Sequence, residues 1–189
     1  MTDYCVDLTL PINPLIDGIS IDSLQENNAQ WTPISLEYIN SDLKKLFQSL
    51  DLKIKIAGLF VLNGYSSLGV HIDGFEIYDA TKINWSYNTN YDMVWYNVRA
   101  KNKKNIVGTA NPNNSSLLPR YYVSYNKNEV EEIYRYEIKF PSIVQVGIPH
   151  TLENYTGVKK CLSITLFDMD NKTVPMHRAK ELFSQYLAP

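Results

Sequence analysis

The sequence predicts a mainly-β domain, an antiparallel sandwich or barrel with a few flanking helices. Three features carry that expectation. The chain holds 14 tyrosines among many Asn, Ser and Thr residues and short β-branched runs, a usage that suits strands and turns. Short apolar or alternating runs recur at close intervals between residues 54 and 99, each closed by turn residues. Helical spacing of apolar side chains is confined to two short stretches, near residues 41–50 and 174–187.

In chain order, residues 1–35 read as an extended lead-in with short strands, because Pro11, Pro14, Gly18 and Pro33 interrupt any helix. Ser41 or Asp42 then caps a short helix in which Leu43, Leu46, Phe47 and Leu50 form one apolar face to lay on a sheet. From Lys53 the period changes, and a β run through Ile54, Ile56 and Leu59 ends at the turn pair Asn63 and Gly64. Residues 69–78, 81–87 and 92–99 follow as three more strands. Residues 100–119 are polar and aperiodic, a surface excursion suited to a lid. Residues 129–134 read as a short helix or turn, residues 136–140, 142–149 and 160–167 as strands, and residues 174–187 as a helix packed outside the sheets. There is no internal repeat.

At 189 residues, 44% hydrophobic and 20% charged, the chain fits one globular domain, 1–189, with a sizeable core. A formal charge of −2 gives no field to draw it to nucleic acid or anionic lipid, so a small molecule or a peptide side chain is the expected partner. No apolar run approaches the roughly 20 residues that span a bilayer, and the N-terminus shows no secretory pattern. With only Cys5 and Cys161, far apart, a reducing compartment is expected. The expected location is therefore cytoplasmic, the host cytoplasm for a viral chain. The Asn-x-Ser/Thr matches at Asn113, Asn114, Asn154 and Asn171 are then incidental.

Two of the three histidines stand where a metal site would need them. In a strand, residues i and i+2 share a face, so His71 and Asp73 can offer an imidazole nitrogen and a carboxylate oxygen to one ion while Ile72 enters a core. Well downstream, His150 ends an apolar run that begins at Ile143. Two histidines and one carboxylate so arranged form the facial ligand set of non-haem Fe(II). His177, on the terminal helix, reads as a packing or surface residue. No phosphate loop, paired-Cys motif or serine-hydrolase elbow is present.

With Ile83-Asn84-Trp85, Val94-Trp95-Tyr96, Pro141-Ser142, Pro149-His150, Asn154 and Cys161-Leu162-Ser163-Ile164 added to His71-Ile72-Asp73-Gly74, the chain resembles the Fe(II)/2-oxoglutarate-dependent oxygenase superfamily over about Leu59 to Phe167. It is most similar to the compact members common in viral and metagenomic sequences. The resemblance implies a double-stranded β-helix (jelly-roll, cupin-like), with a motif-bearing core at about 54–167. It also implies Fe(II) on His71, Asp73 and His150, with 2-oxoglutarate as co-substrate and ascorbate as an aid in vitro. Oxidative decarboxylation to succinate and CO2 would be coupled to hydroxylation of an unknown substrate.

In that superfamily a basic residue on the strand after the second histidine, usually arginine, pairs with the distal carboxylate of 2-oxoglutarate. Lys159 and Lys160 occupy that place here. If Leu162, Ile164 and Leu166 face a core outside the pocket, strand alternation favours Lys159, with Ser163 as hydroxyl partner. Lysine makes a point-charge pair rather than a bidentate fork. Tyr78, Asn84, Trp95 and Tyr96 are further candidates to line the pocket. Two alternatives are a catalytically inactive jelly-roll binding or structural module with a passive His-Asp-His metal site, and a cupin-like metalloenzyme that uses no 2-oxoglutarate.

Overall fold

The computed structural model describes residues 4–24, 31–64, 66–74, 80–87, 90–102 and 121–189. Among them are twelve strands: β1 (Cys5–Asp7), β2 (Trp31–Pro33), β3 (Leu52–Leu62), β4 (Ser66–Ser67), β5 (Val70–Gly74), β6 (Thr81–Tyr87), β7 (Tyr91–Val98), β8 (Tyr121–Tyr125), β9 (Val130–Ile138), β10 (Ser142–Gln145), β11 (His150–Asn154) and β12 (Lys159–Asp168). Two helices, α1 (Ser41–Ser49) and α2 (Met176–Leu182), complete the regular elements with several 3₁₀ turns.

The strands form two antiparallel sheets, ordered β1-β10-β6-β12-β3-β2 and β8-β5-β11-β7-β9, with β4 paired to β11. After β3, the chain passes between the sheets at β4, β6, β7, β10, β11 and β12, so most strands that follow one another in sequence lie opposite each other rather than side by side. That alternation is the signature of a jelly roll, and the fold is a cupin-like double-stranded β-helix.

Strand alternation sorts the residues into three layers. Between the sheets lie Met93, Trp95, Val144, Leu152 and Cys161. On the outer face of the first sheet, Leu59, Ile83, Leu162 and Ile164 pack under Leu43 and Phe47 of α1 and Ala179 of α2. Ile72, Val94, Tyr96 and Val123 make a smaller cluster on the outer face of the second sheet. Helix α1 lies on its sheet through the face marked by Leu43, Leu46 and Phe47; its cap is Asn40, whose side chain accepts from the Asp42 amide, one residue before the expected Ser41.

Several expected elements take a different form. Residues 129–134 are not a helix or turn: a 3₁₀ turn at Lys127–Glu129 leads into the single strand β9, in which Ile133 is an extra residue opposite the Trp95–Tyr96 step of β7 and breaks the period-2 signal. Tyr121–Tyr125 forms a strand that the sequence reading did not mark. The run 142–149 stops at Gln145, and His150 begins its own strand in the other sheet. The terminal helix is shorter than 174–187, ending at Leu182 before a 3₁₀ turn at Ser184–Tyr186. Most of the polar excursion, residues 103–120, lies outside the described residues, as does the lid suggested for it.

Candidate metal centre

His71 and His150 are direct cross-strand partners on β5 and β11, and both are buried. Their position on adjacent antiparallel strands brings the ring centroids to 4.5 Å. Asp73 follows two residues after His71, on the same inward face. One ligand atom from each of the three residues lies within 4.8 Å of the others, the one such acidic or imidazole group of three found among the described residues.

Both imidazoles are oriented by their own backbone. Nδ1 of His71 donates to the Gly69 carbonyl at 2.6 Å and Nδ1 of His150 to the Ile148 carbonyl at 2.9 Å. A carbonyl oxygen can only accept, so in the neutral rings Nδ1 carries the proton and Nε2 presents its lone pair to the cavity. Burial and the neighbouring His71 push the His150 imidazole down to about 3, which keeps it uncharged and ready to ligate. Burial alone would push the Asp73 carboxyl up, but the Lys82 ammonium beside it holds it well below the usual carboxylate range. A neutral imidazole pair and an ionised carboxylate are the donor set that a divalent ion requires, so the residues present fit a metal.

Lys82, which the sequence reading passed over, is part of this site. It lies on β6 in the inward phase shared with Asn84. Its ammonium is 2.5 Å from Asp73 Oδ2 and 5.5 Å from the centroid of the Phe60 ring. The other carboxylate oxygen, Oδ1, faces His71 Nε2 at 3.4 Å. The i, i+2 rule that joined His71 to Asp73 would also have joined Lys82 to Asn84 in the run TKINWSY.

The remaining candidates are spread along the barrel. Ser163 donates to Asn84 Oδ1 at 2.7 Å, and both line the small cavity beside His71, Asp73 and His150. That cavity is about 20 Å³, lined also by Phe60, Met93 and Leu152. One step deeper, the hydroxyl of fully buried Tyr91 meets the Cys161 thiol at 3.1 Å and also bonds Asn84. Lys159 shares the inward phase of β12 with Cys161 and Ser163 and lies outside the cavity lining. It is buried and makes no hydrogen bond or ion pair with the described residues; burial pushes its ammonium down, countered by Glu137 and Asp92.

Lys160 points the other way and pairs with Asp22 at 2.6 Å on the outer face of the first sheet. Trp95 is in the core between the sheets, its indole donating to the Gln145 carbonyl at 2.8 Å, while Tyr96 faces outward. Tyr78 lies outside the described residues.

Fold and site together define a jelly-roll domain with a buried His-Asp-His group able to bind a metal ion. No protein-family model and no curated protein matches the chain. Among solved structures it is similar to the vicilin of Solanum melongena, at 11% identity and a TM-score of 0.40 over 90% of this chain. It is also similar to the vicilin of hazelnut (Corylus avellana), at 12% and 0.34 over 74% of the chain. Peruvianin-I, a cysteine peptidase from Thevetia peruviana latex, gives 14% and 0.34, covering 93% of this chain and 96% of that one. The chain spans 45% and 36% of the two vicilins, in that order. Among the described residues no helix is long and apolar enough to cross a membrane.

Proposed function

We propose that the protein is an Fe(II)- and 2-oxoglutarate-dependent oxygenase acting on a small molecule or a peptide side chain. The observation that supports this most is the convergence of His71, Asp73 and His150 at one point inside the jelly roll, with both Nε2 lone pairs turned into the cavity. Fe(II) held by these three residues would supply the capacity to activate O2 for oxidation of a C–H bond. The chain's own part is positional. Gly69 and Ile148 carbonyls hold the imidazole tautomers, and Phe60, Met93 and Leu152 give the reacting groups apolar walls. The inward polar line of Asn84, Ser163, Tyr91 and Lys159 offers donors to a carboxylate lying behind the ligands, with Lys159 as the charge at its far end.

One observation favours a second reading, a jelly-roll module with a passive metal site. A space of about 20 Å³ holds roughly one water and not a five-carbon diacid, so the oxygenase reading requires side chains such as Tyr91 to turn aside. Succinate formation from 2-oxoglutarate under Fe(II), O2 and ascorbate separates the two. The oxygenase reading expects succinate from the wild type and none from Asp73→Ala. Tight metal binding with no succinate under any condition would leave the passive module.

A further inference from the structure

Asp73 serves two partners at once. Its Oδ1 faces the imidazoles, where a metal would bind, while Oδ2 carries the Lys82 ammonium. The two cationic positions are therefore separated by a single carboxylate. Side-chain exposure is 17% for Asp73 and 11% for Lys82, so water screens them little. Among the described residues, the rest of the cavity lining is apolar or neutral. Beyond it, burial raises the Tyr91 hydroxyl well above its ordinary range and pushes the Cys161 thiol up to about 12, so neither supplies negative charge near neutral pH.

The formal charges decide what this pocket accepts. Asp73 and Lys82 cancel, and both imidazoles are neutral when they ligate. A divalent ion then leaves two uncompensated positive charges in a water-poor cavity, a costly state unless an anion enters with it. Lys82 lines the cavity, and an ammonium has three donors, of which Asp73 takes one.

We propose that Lys82 couples metal binding to anion binding, so that the centre takes up its ion together with a dianionic carboxylate ligand. This rests on the metal site proposed above and adds to it a reason for co-substrate choice that does not depend on Lys159. The coupling is reciprocal: whatever factor the anion gives the metal, the metal gives the anion.

Mn(II) binding to the full chain, read from the loss of the aqua-ion EPR signal, tests this without turnover. Titrations are run alone, with 2-oxoglutarate and with the monoanion 2-oxopentanoate, on the wild type, Lys82→Met and Lys82→Gln. Removing one positive charge a few ångströms from the ion should tighten Mn(II) alone by about tenfold or more. The gain that 2-oxoglutarate adds should shrink by a similar factor in both variants, and in the wild type 2-oxopentanoate should add less than 2-oxoglutarate. Lys82→Gln keeps a donor to Asp73, so it carries the test if Lys82→Met does not fold. Unchanged Mn(II) affinity, or an undiminished 2-oxoglutarate gain, overturns the coupling and leaves the metal site standing. Equal Mn(II) binding by the wild type and His150→Ala overturns the site and the coupling with it.

Discussion

Asp73 stays ionised despite burial because Lys82 compensates it, and this sets what single substitutions should do. His71→Ala and Asp73→Ala remove ligand atoms without opening the apolar layers. Both should abolish metal binding by isothermal titration while leaving the far-UV circular dichroism close to wild type. Loss of the fold in both variants would instead make the site structural. The two neighbouring lysines should differ. Lys159 faces inward and lacks a partner among the described residues, whereas Lys160 is held outside by Asp22. If Lys159 holds the distal carboxylate, Lys159→Ala should raise the 2-oxoglutarate requirement about a hundredfold, since losing a desolvated charge pair costs several kcal/mol. Lys160→Ala should leave it nearly unchanged, and small equal effects would release both lysines from the co-substrate.

At the scale of elements, polar side chains tie the strands that carry the ligands. Asn154, at the end of β11, donates through its amide to the carbonyls of Leu62, Asn63 and Gly157, pinning the turn into β12 against the end of β3. Gly64 and Gly157 meet there so closely that a Cβ on Gly64 would lie 3.1 Å from the Gly157 amide nitrogen. Asn154→Ala should lower stability by about 1–3 kcal/mol in urea unfolding, because buried carbonyls lose their donor. On the outer face of β11, burial pushes the Glu153 carboxyl up, but Tyr155, Arg135 and Lys127 outweigh it and bring it to about 2. The folded group thus binds its proton more weakly than the unfolded one. Its contribution is present above pH 4.5 and is lost as the pH falls towards 2. With partly exposed partners this amounts to about 2 kcal/mol, and Glu153→Gln should flatten acid unfolding across that window. An unchanged acid profile would show that the network holds no such stability.

The same elements show what the sequence made legible. His71 and Asp73 were readable because two ligands i and i+2 need only one strand, and β6 and β12 because their apolar alternation is unbroken. Strand β9 is legible only from Tyr136 on, because the extra residue Ile133, opposite the Trp95–Tyr96 step, shifts the alternation within VEEIYRYEI. The partition of residues 142–154 into two sheets depends on a crossover that no local pattern encodes. The i, i+2 rule puts Lys82 in phase with Asn84, but its pairing with Asp73 follows only from the placing of β6 opposite β5.

For the whole molecule, the site joins strands far apart in sequence: β5 and β11 carry the ligands and β6, in the opposite sheet, carries Lys82. A ligand that binds only the folded chain stabilises it by mass action. Mn(II) with 2-oxoglutarate should therefore raise the melting temperature by several degrees, more than either alone, and EDTA should reverse the rise. The central claim is that the two histidines and Asp73 hold one ion. Pulsed EPR of the Mn(II)-loaded protein addresses it most directly, because coupling to imidazole nitrogen reports the ligands themselves. The account predicts one tightly bound ion per chain coupled to two imidazole nitrogens, falling to one in Lys82→Gln/His150→Ala. Binding with no imidazole coupling, or coupling unchanged by loss of His150, would contradict it.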